Sequence, residues 1–226
     1  VMDGTASSAQ LALLGVTVTN VTPDNLKAVQ NAIGTADPTS LTALQTAVDN
    51  AISTFNNAST LIANYANFVN DYEITDSIYP TPQASDYTAL AITGMGDSGQ
   101  PTVAMINSAL GTPALLGTNA DTRTDVQAIV DAYQVILDNA NTASSTDASA
   151  SDYLAIGVTG VDAGAETNLL GSVIENKATA DVDSVADLQA LANAVQAVMD
   201  GTASSAQLAL LGVTVTNVTP DNLKAV

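Results

Sequence analysis

The sequence predicts an all-α chain of tandem three-helix-bundle repeats stacked in an elongated array, and three observations carry that expectation. Apolar residues recur three and four apart, the helical period, over most of the chain. Ser, Thr or Pro stands before many apolar runs and Gly after them, which marks helix starts and stops. Finally, VMDGTASSAQLALLGVTVTNVTPDNLKAV at residues 1–29 recurs without a change at 198–226, a period of 197 residues. Packing constraints tolerate drift on the surface, so identity at every position implies recent duplication and a parent protein with many copies.

Within one period the pattern divides into residues 1–7 as the end of a preceding unit, units at 8–84, 85–150 and 151–204, and 205–226 as the next copy of the first. Each unit opens with a short helix: SAQLALLGVT from Ser8, SDYTALAITG from Ser85 and SDYLAIGVTG from Ser151. Ser or Ser-Asp is expected to cap it, and Gly15, Gly94 and Gly157 to end it in a left-handed residue. Val16-Thr17-Val18-Thr19 alternates like a strand, but as a single run it reads better as an extended connector with Val21 stapled onto the next helix. Second helices are expected after Thr22-Pro23-Asp24 and Gln100-Pro101, with proline in the first helical position, and to end at Gly34 and Gly111. In the third unit AETNLLGSVIENK takes this part without a proline.

Third helices are the longest. Val126, Ile129, Val130, Tyr133, Ile136 and Leu137 form one stripe, as do Val185, Leu188, Ala192, Val195 and Met199. In the first unit the pattern runs from 38 to 72, with Leu41, Val48, Phe55, Ile62 and Val69 every seven residues and Leu44, Ala51, Ala58, Tyr65 and Tyr72 beside them. Two readings stay open: one helix, or a break at Asn56-Asn57 with a fourth helix capped by Ser59. In the unbroken reading Ile62, Tyr65, Phe68, Val69 and Tyr72 are an assembly contact that seeks a partner outside its own bundle. Both ends of the sequence fall inside predicted helices, so we expect a window on a continuing chain.

Composition narrows the function. Lys and Arg number 4 against 23 Asp and Glu, a formal charge of −19, with no Cys, His or Trp. Lys27, Arg123, Lys177 and Lys224 cannot build the basic face that nucleic acid or an anionic membrane demands. No stretch approaches the roughly 18 apolar residues of a membrane span. Without His or Cys a Ser or Thr nucleophile lacks its ordinary base, and Glu73, Glu166 and Glu175 are scattered over different elements. No enzyme and no cofactor is therefore expected. Asp181, Asp183 and Asp187 are the candidate calcium ligands, although their loop lacks the glycine and bidentate Glu of an EF-hand. Asn20-Val21-Thr22 and Asn57-Ala58-Ser59 match the N-glycosylation pattern.

LALLGVTVTNVTPDNLKAVQNAI, and YLAIGVTGV followed by a DLQALANAVQAV helix, resemble helical tandem repeats in giant secreted surface proteins and adhesins of Gram-negative bacteria. The resemblance implies an extracellular or cell-surface structural segment, a self-assembling filament or a stalk. Its partners would be other copies of the chain and adjacent repeats. The alternative it implies is an adhesin module that binds a host protein, glycan or neighbouring cell. The long first unit departs from simple repeats of this kind.

Overall fold

Periodic apolar sequence folds as helix throughout the described part of this computed structural model, residues 4–68, 79–140 and 146–214, the side chain of residue 68 excepted. Among these residues there are ten α-helices and no strand: α1 (Ser8–Leu13), α2 (Leu26–Ala36), α3 (Leu41–Phe68), α4 (Ala84–Ala89), α5 (Val103–Leu110), α6 (Arg123–Asn139), α7 (Ala150–Ala155), α8 (Ala165–Ile174), α9 (Val185–Met199) and α10 (Ser205–Leu210). Short 3-10 turns at Gly117–Asn119 and Thr179–Asp181 precede α6 and α9. A short, a middle and a long helix thus follow one another three times.

The short helices share their entry chemistry. Ser7 Oγ accepts from the Gln10 amide at 3.2 Å while Gln10 Oε1 accepts from the Ser7 amide at 2.9 Å. Ser204 and Gln207 repeat this pair in α10, and Ser149 with Asp152 forms it in α7. Such reciprocal pairs satisfy amides that the first helical turn leaves free. The caps are therefore Ser7 and Ser149 rather than Ser8 and Ser151, and in α4 the position falls to Gln83, whose amide donates to Asp86.

Their exits are equally alike. Gly15, Ala91, Gly157 and Gly212 all have positive φ, and each donates back to the third residue before it. The next residue in turn donates five residues back, Val16 to Leu11, Ile92 to Tyr87, Val158 to Tyr153 and Val213 to Leu208, which closes a Schellman motif. In the middle unit the left-handed position belongs to Ala91, and Gly94 lies three residues beyond.

Middle helices depart from expectation in two places. Gly34 does not end α2, which runs on to a left-handed Asp37; the glycine lies beside the Gly4 backbone at ordinary contact distance. Thr102, not Pro101, starts α5, its hydroxyl accepting from the Met105 amide. Thr22 and Asn25 do cap the turn that contains Pro23, since each amide bonds the other's side chain and Leu26 donates to the Thr22 carbonyl.

Packing divides the chain into two compact units, Val1–Thr93 with Leu116–Gln127, and Gly94–Leu115 with Ala128–Val226. Their limits differ from those read from sequence. In the first, α2 lies along α3 over a core of Leu11, Val29, Ile33, Leu44 and Val48, with Val18 and Val21 of the connector against it. α3 is one helix through Asn56-Asn57, roughly 40 Å long at 1.5 Å per residue. Its outer half carries α4 and the 3-10 turn at Gly117–Asn119. In the second unit α9 packs with α8, α5 and α10. Val185, Leu188, Ala192 and Val195 are buried there, whereas Met199 is exposed at the helix end. All six residues of the expected α6 stripe are buried.

Candidate interaction site

The heptad seam of α3 finds its partner inside its own compact unit. Val48, Phe55, Ala58 and Ile62 are buried, Ile62 completely. Ser59 donates its hydroxyl to the Asp121 carbonyl at 2.6 Å, and Asn67 Oδ1 accepts from the Gly117 amide at 2.7 Å. Gly117 fits only because it has no side chain: a Cβ would stand 2.6 Å from the Ala63 carbonyl oxygen and 2.4 Å from Asn67 Nδ2. Ile62 is fully buried, and α3 there packs with α4 and the 3-10 turn, which follow the segment read from sequence as the first unit. Tyr65 is half-buried, and burial raises its phenol pKa. The Phe68 side chain, Val69 and Tyr72 lie outside the described residues.

One device that sequence reading missed recurs in all three segments. The fifth residue of each long helix is glutamine, and its amide grips the backbone of the threonine two residues past the left-handed exit. Thr17 donates to Gln45 Oε1 at 2.7 Å and accepts from Gln45 Nε2 at 3.3 Å. Both distances are 3.0 Å for Thr93 with Gln127 and 2.9 Å for Thr159 with Gln189. Each clamp ties the short helix of a segment to its long helix, and satisfies connector groups that no ladder would reach.

Successive segments also meet through the first amide of a long helix, a donor without an intrahelical partner. Asp24 Oδ1, at the start of α2, accepts from the Arg123 amide of α6 at 2.8 Å. Ser108 Oγ, on α5, accepts from the Val185 amide of α9 at 2.9 Å. Two of the four cations serve carbonyls: Arg123 Nε donates to the Ala91 oxygen at 3.2 Å and Lys177 Nζ to the Leu210 oxygen at 2.7 Å.

Two open grooves are lined mostly by small neutral side chains. One of about 450 Å³ lies between α2, α3 and α4, bounded by Ala28, Asn31, Ala47, Asn50, Thr54 and Thr88. A second, about 460 Å³, is bordered by Ser108, Thr112, Pro113, Gly157 and Gln189. Asp181 and Asp187 act as local caps, toward the Ala178 amide and the Ser184 hydroxyl. Asp183 and Asp187 lie close enough to Tyr133 to add to the burial that raises its phenol pKa. Among the described residues no group of three acidic side chains is arranged to hold a metal, and no helix is long and apolar enough to cross a membrane. The chain finds no match among protein-family models, curated proteins or solved structures.

Proposed function

We infer that this chain is a structural repeat segment of a long extracellular bacterial surface protein, in which three-helix units follow one another as a stalk or a self-assembling filament. The observation that carries the reading is the contact between successive segments through a long-helix amide, Arg123 to Asp24 and Val185 to Ser108. Each segment supplies a hydrogen-bond partner that the next helix lacks, which is the nearest-neighbour logic of a repeat array. Unchanged recurrence of 29 residues supports the same reading, because an array extends by copying its period. The burial of Ile62 favours a stalk that grows in line over strands that associate laterally through this seam.

Electron microscopy of proteins with one, two and four periods tests the reading. Rods whose length rises by a constant step per period are expected. Compact particles, or flexible beads without a constant step, would overturn it. The groove between α2, α3 and α4 favours a second reading, an adhesin module gripping a host protein, glycan or neighbouring cell. Tight binding by a single period, abolished by Thr54→Arg, would establish that one instead.

A further inference from the structure

The four short helices share their exits, and three of them a serine cap, yet their apolar residues differ sharply in exposure. Leu14 is 50% exposed, whereas Leu90 and Ile156 at the same position are 0% exposed. Leu41, the first residue of α3, is 51% exposed, whereas Val185, the first of α9, is 3%. The buried members each have a preceding segment beside them: α3 lies against α4, and Thr112, just past α5, crowds Gly157 of the α7 exit.

The two copies of one helix sequence make the comparison direct. α1 and α10 have the same sequence and the same caps, but Leu13 is 86% exposed and its copy Leu210 only 40%. α1 packs through Leu11 on the core of α2 and α3, whereas α10 has α9 against it and Lys177 on its Leu210 carbonyl. Lys177 follows α8 as Pro113 follows α5, since Ile106-Asn107-Ser108-Ala109-Leu110 and Leu170-Gly171-Ser172-Val173-Ile174 share the same buried positions. In that register Ser172 is the counterpart of Ser108, and its side chain is exposed.

We propose that the face formed by Leu13, Leu14 and Leu41 is the docking surface for the tail of the preceding copy of the 197-residue repeat. Lys177 of that copy donates to the Leu13 carbonyl, as it does to Leu210 here, and its Ser172 hydroxyl accepts from the Leu41 amide, as Ser108 does from Val185. The occupant is a second copy because the same sequence, in α10, already holds that tail. The inference rests on the array reading and names the contact that joins its periods.

The test places residues 151–197 ahead of Val1 in the full chain, which reproduces the junction found at residues 197 and 198. Amide hydrogen exchange is compared with the unextended chain. Exchange at Leu41 should slow at least tenfold, and at Leu14 and Gly15 in parallel. Ser172→Ala in the added segment should restore fast exchange at Leu41 alone, and Lys177→Gln should release the α1 exit. Unchanged exchange at Leu41 and Leu14, whether or not the added helices protect their own amides, overturns the proposal. Rods of constant step in the microscope with Leu41 unprotected would sink this contact and leave the array standing; irregular beads would remove both.

Discussion

At the residue scale the exit of α4 carries a local strain that its three counterparts avoid. Ala91 sits at φ +55° where Gly15, Gly157 and Gly212 sit near +90°. A Cβ in the left-handed region costs about 1–2 kcal/mol, part of which glycine's greater chain entropy returns. Ala91→Gly should therefore raise the thermal midpoint by roughly 2 °C, on the scale of about 2–4 °C per kcal/mol for chains of this size. A fall would mean that burial of the Ala91 methyl outweighs the strain. The tyrosines offer a matched pair. Among the described residues the buried Tyr153 hydroxyl has no hydrogen-bond partner, whereas Tyr133 donates to the Val182 carbonyl at 3.2 Å. Removing an unpaired polar atom relieves a desolvation cost, while removing a paired one also orphans its partner. Denaturant unfolding should find Tyr153→Phe neutral or up to about 1 kcal/mol stabilising and Tyr133→Phe destabilising by about 1 kcal/mol. Equal losses in both would show that the Tyr153 hydroxyl has a partner after all.

At the element scale, what the sequence displayed and what it concealed follow from range. Caps and Schellman exits are local, so Ser, Asp and Gly announced them to within one or two residues, and Pro23 marked its turn. The exceptions are Ala91, a left-handed exit without glycine, and Gly34, which the helix runs through. The glutamine clamps were hidden because their partners stand 28, 34 and 30 residues away, with no fixed spacing to recognise. Heptads along α3 were plain, but an apolar seam does not name what covers it, and the cover is α4 with the 3-10 turn. Gly117 is the narrowest point of that contact. Gly117→Ala would press a methyl against the Ala63 carbonyl, and overpacking of this kind costs about 1–3 kcal/mol. The expected outcome is a lower unfolding midpoint with faster amide exchange in the outer half of α3 and little change in α9. Uniform loosening of every helix would instead mean that the seam is not a separate contact.

At the scale of the whole molecule, charge sets the response to solvent. With −19 formal charges and no histidine or cysteine, no side chain ordinarily titrates between the carboxylates and the phenols, so stability should be nearly flat through neutral pH. Burial raises the phenol pKa values of Tyr87, Tyr133 and Tyr153 above their ordinary value, near 10. The folded state then holds protons that the unfolded chain releases. Their contribution is complete below about pH 10 and is lost as pH rises beyond it. Unfolding monitored by circular dichroism should accordingly show a sharp alkaline decline accompanied by phenolate absorbance; ionisation of these three tyrosines before unfolding would contradict their burial. Self-repulsion of the acidic chain acts at every pH above the carboxylate range, and salt reduces it, with a Debye length of about 30 Å at 0.01 M shrinking to about 10 Å at 0.1 M. Raising sodium chloride across that interval should increase the midpoint by a few degrees, on the order of 1 kcal/mol. Calcium chloride at matched ionic strength separates diffuse screening from a bound ion. Because no group of three acidic side chains among the described residues is arranged to hold a metal, the two salts should act alike, apart from the stronger screening of any divalent ion, which magnesium reproduces. A gain with calcium well beyond magnesium, removed by Asp183→Asn, would put a specific ion in the loop before α9.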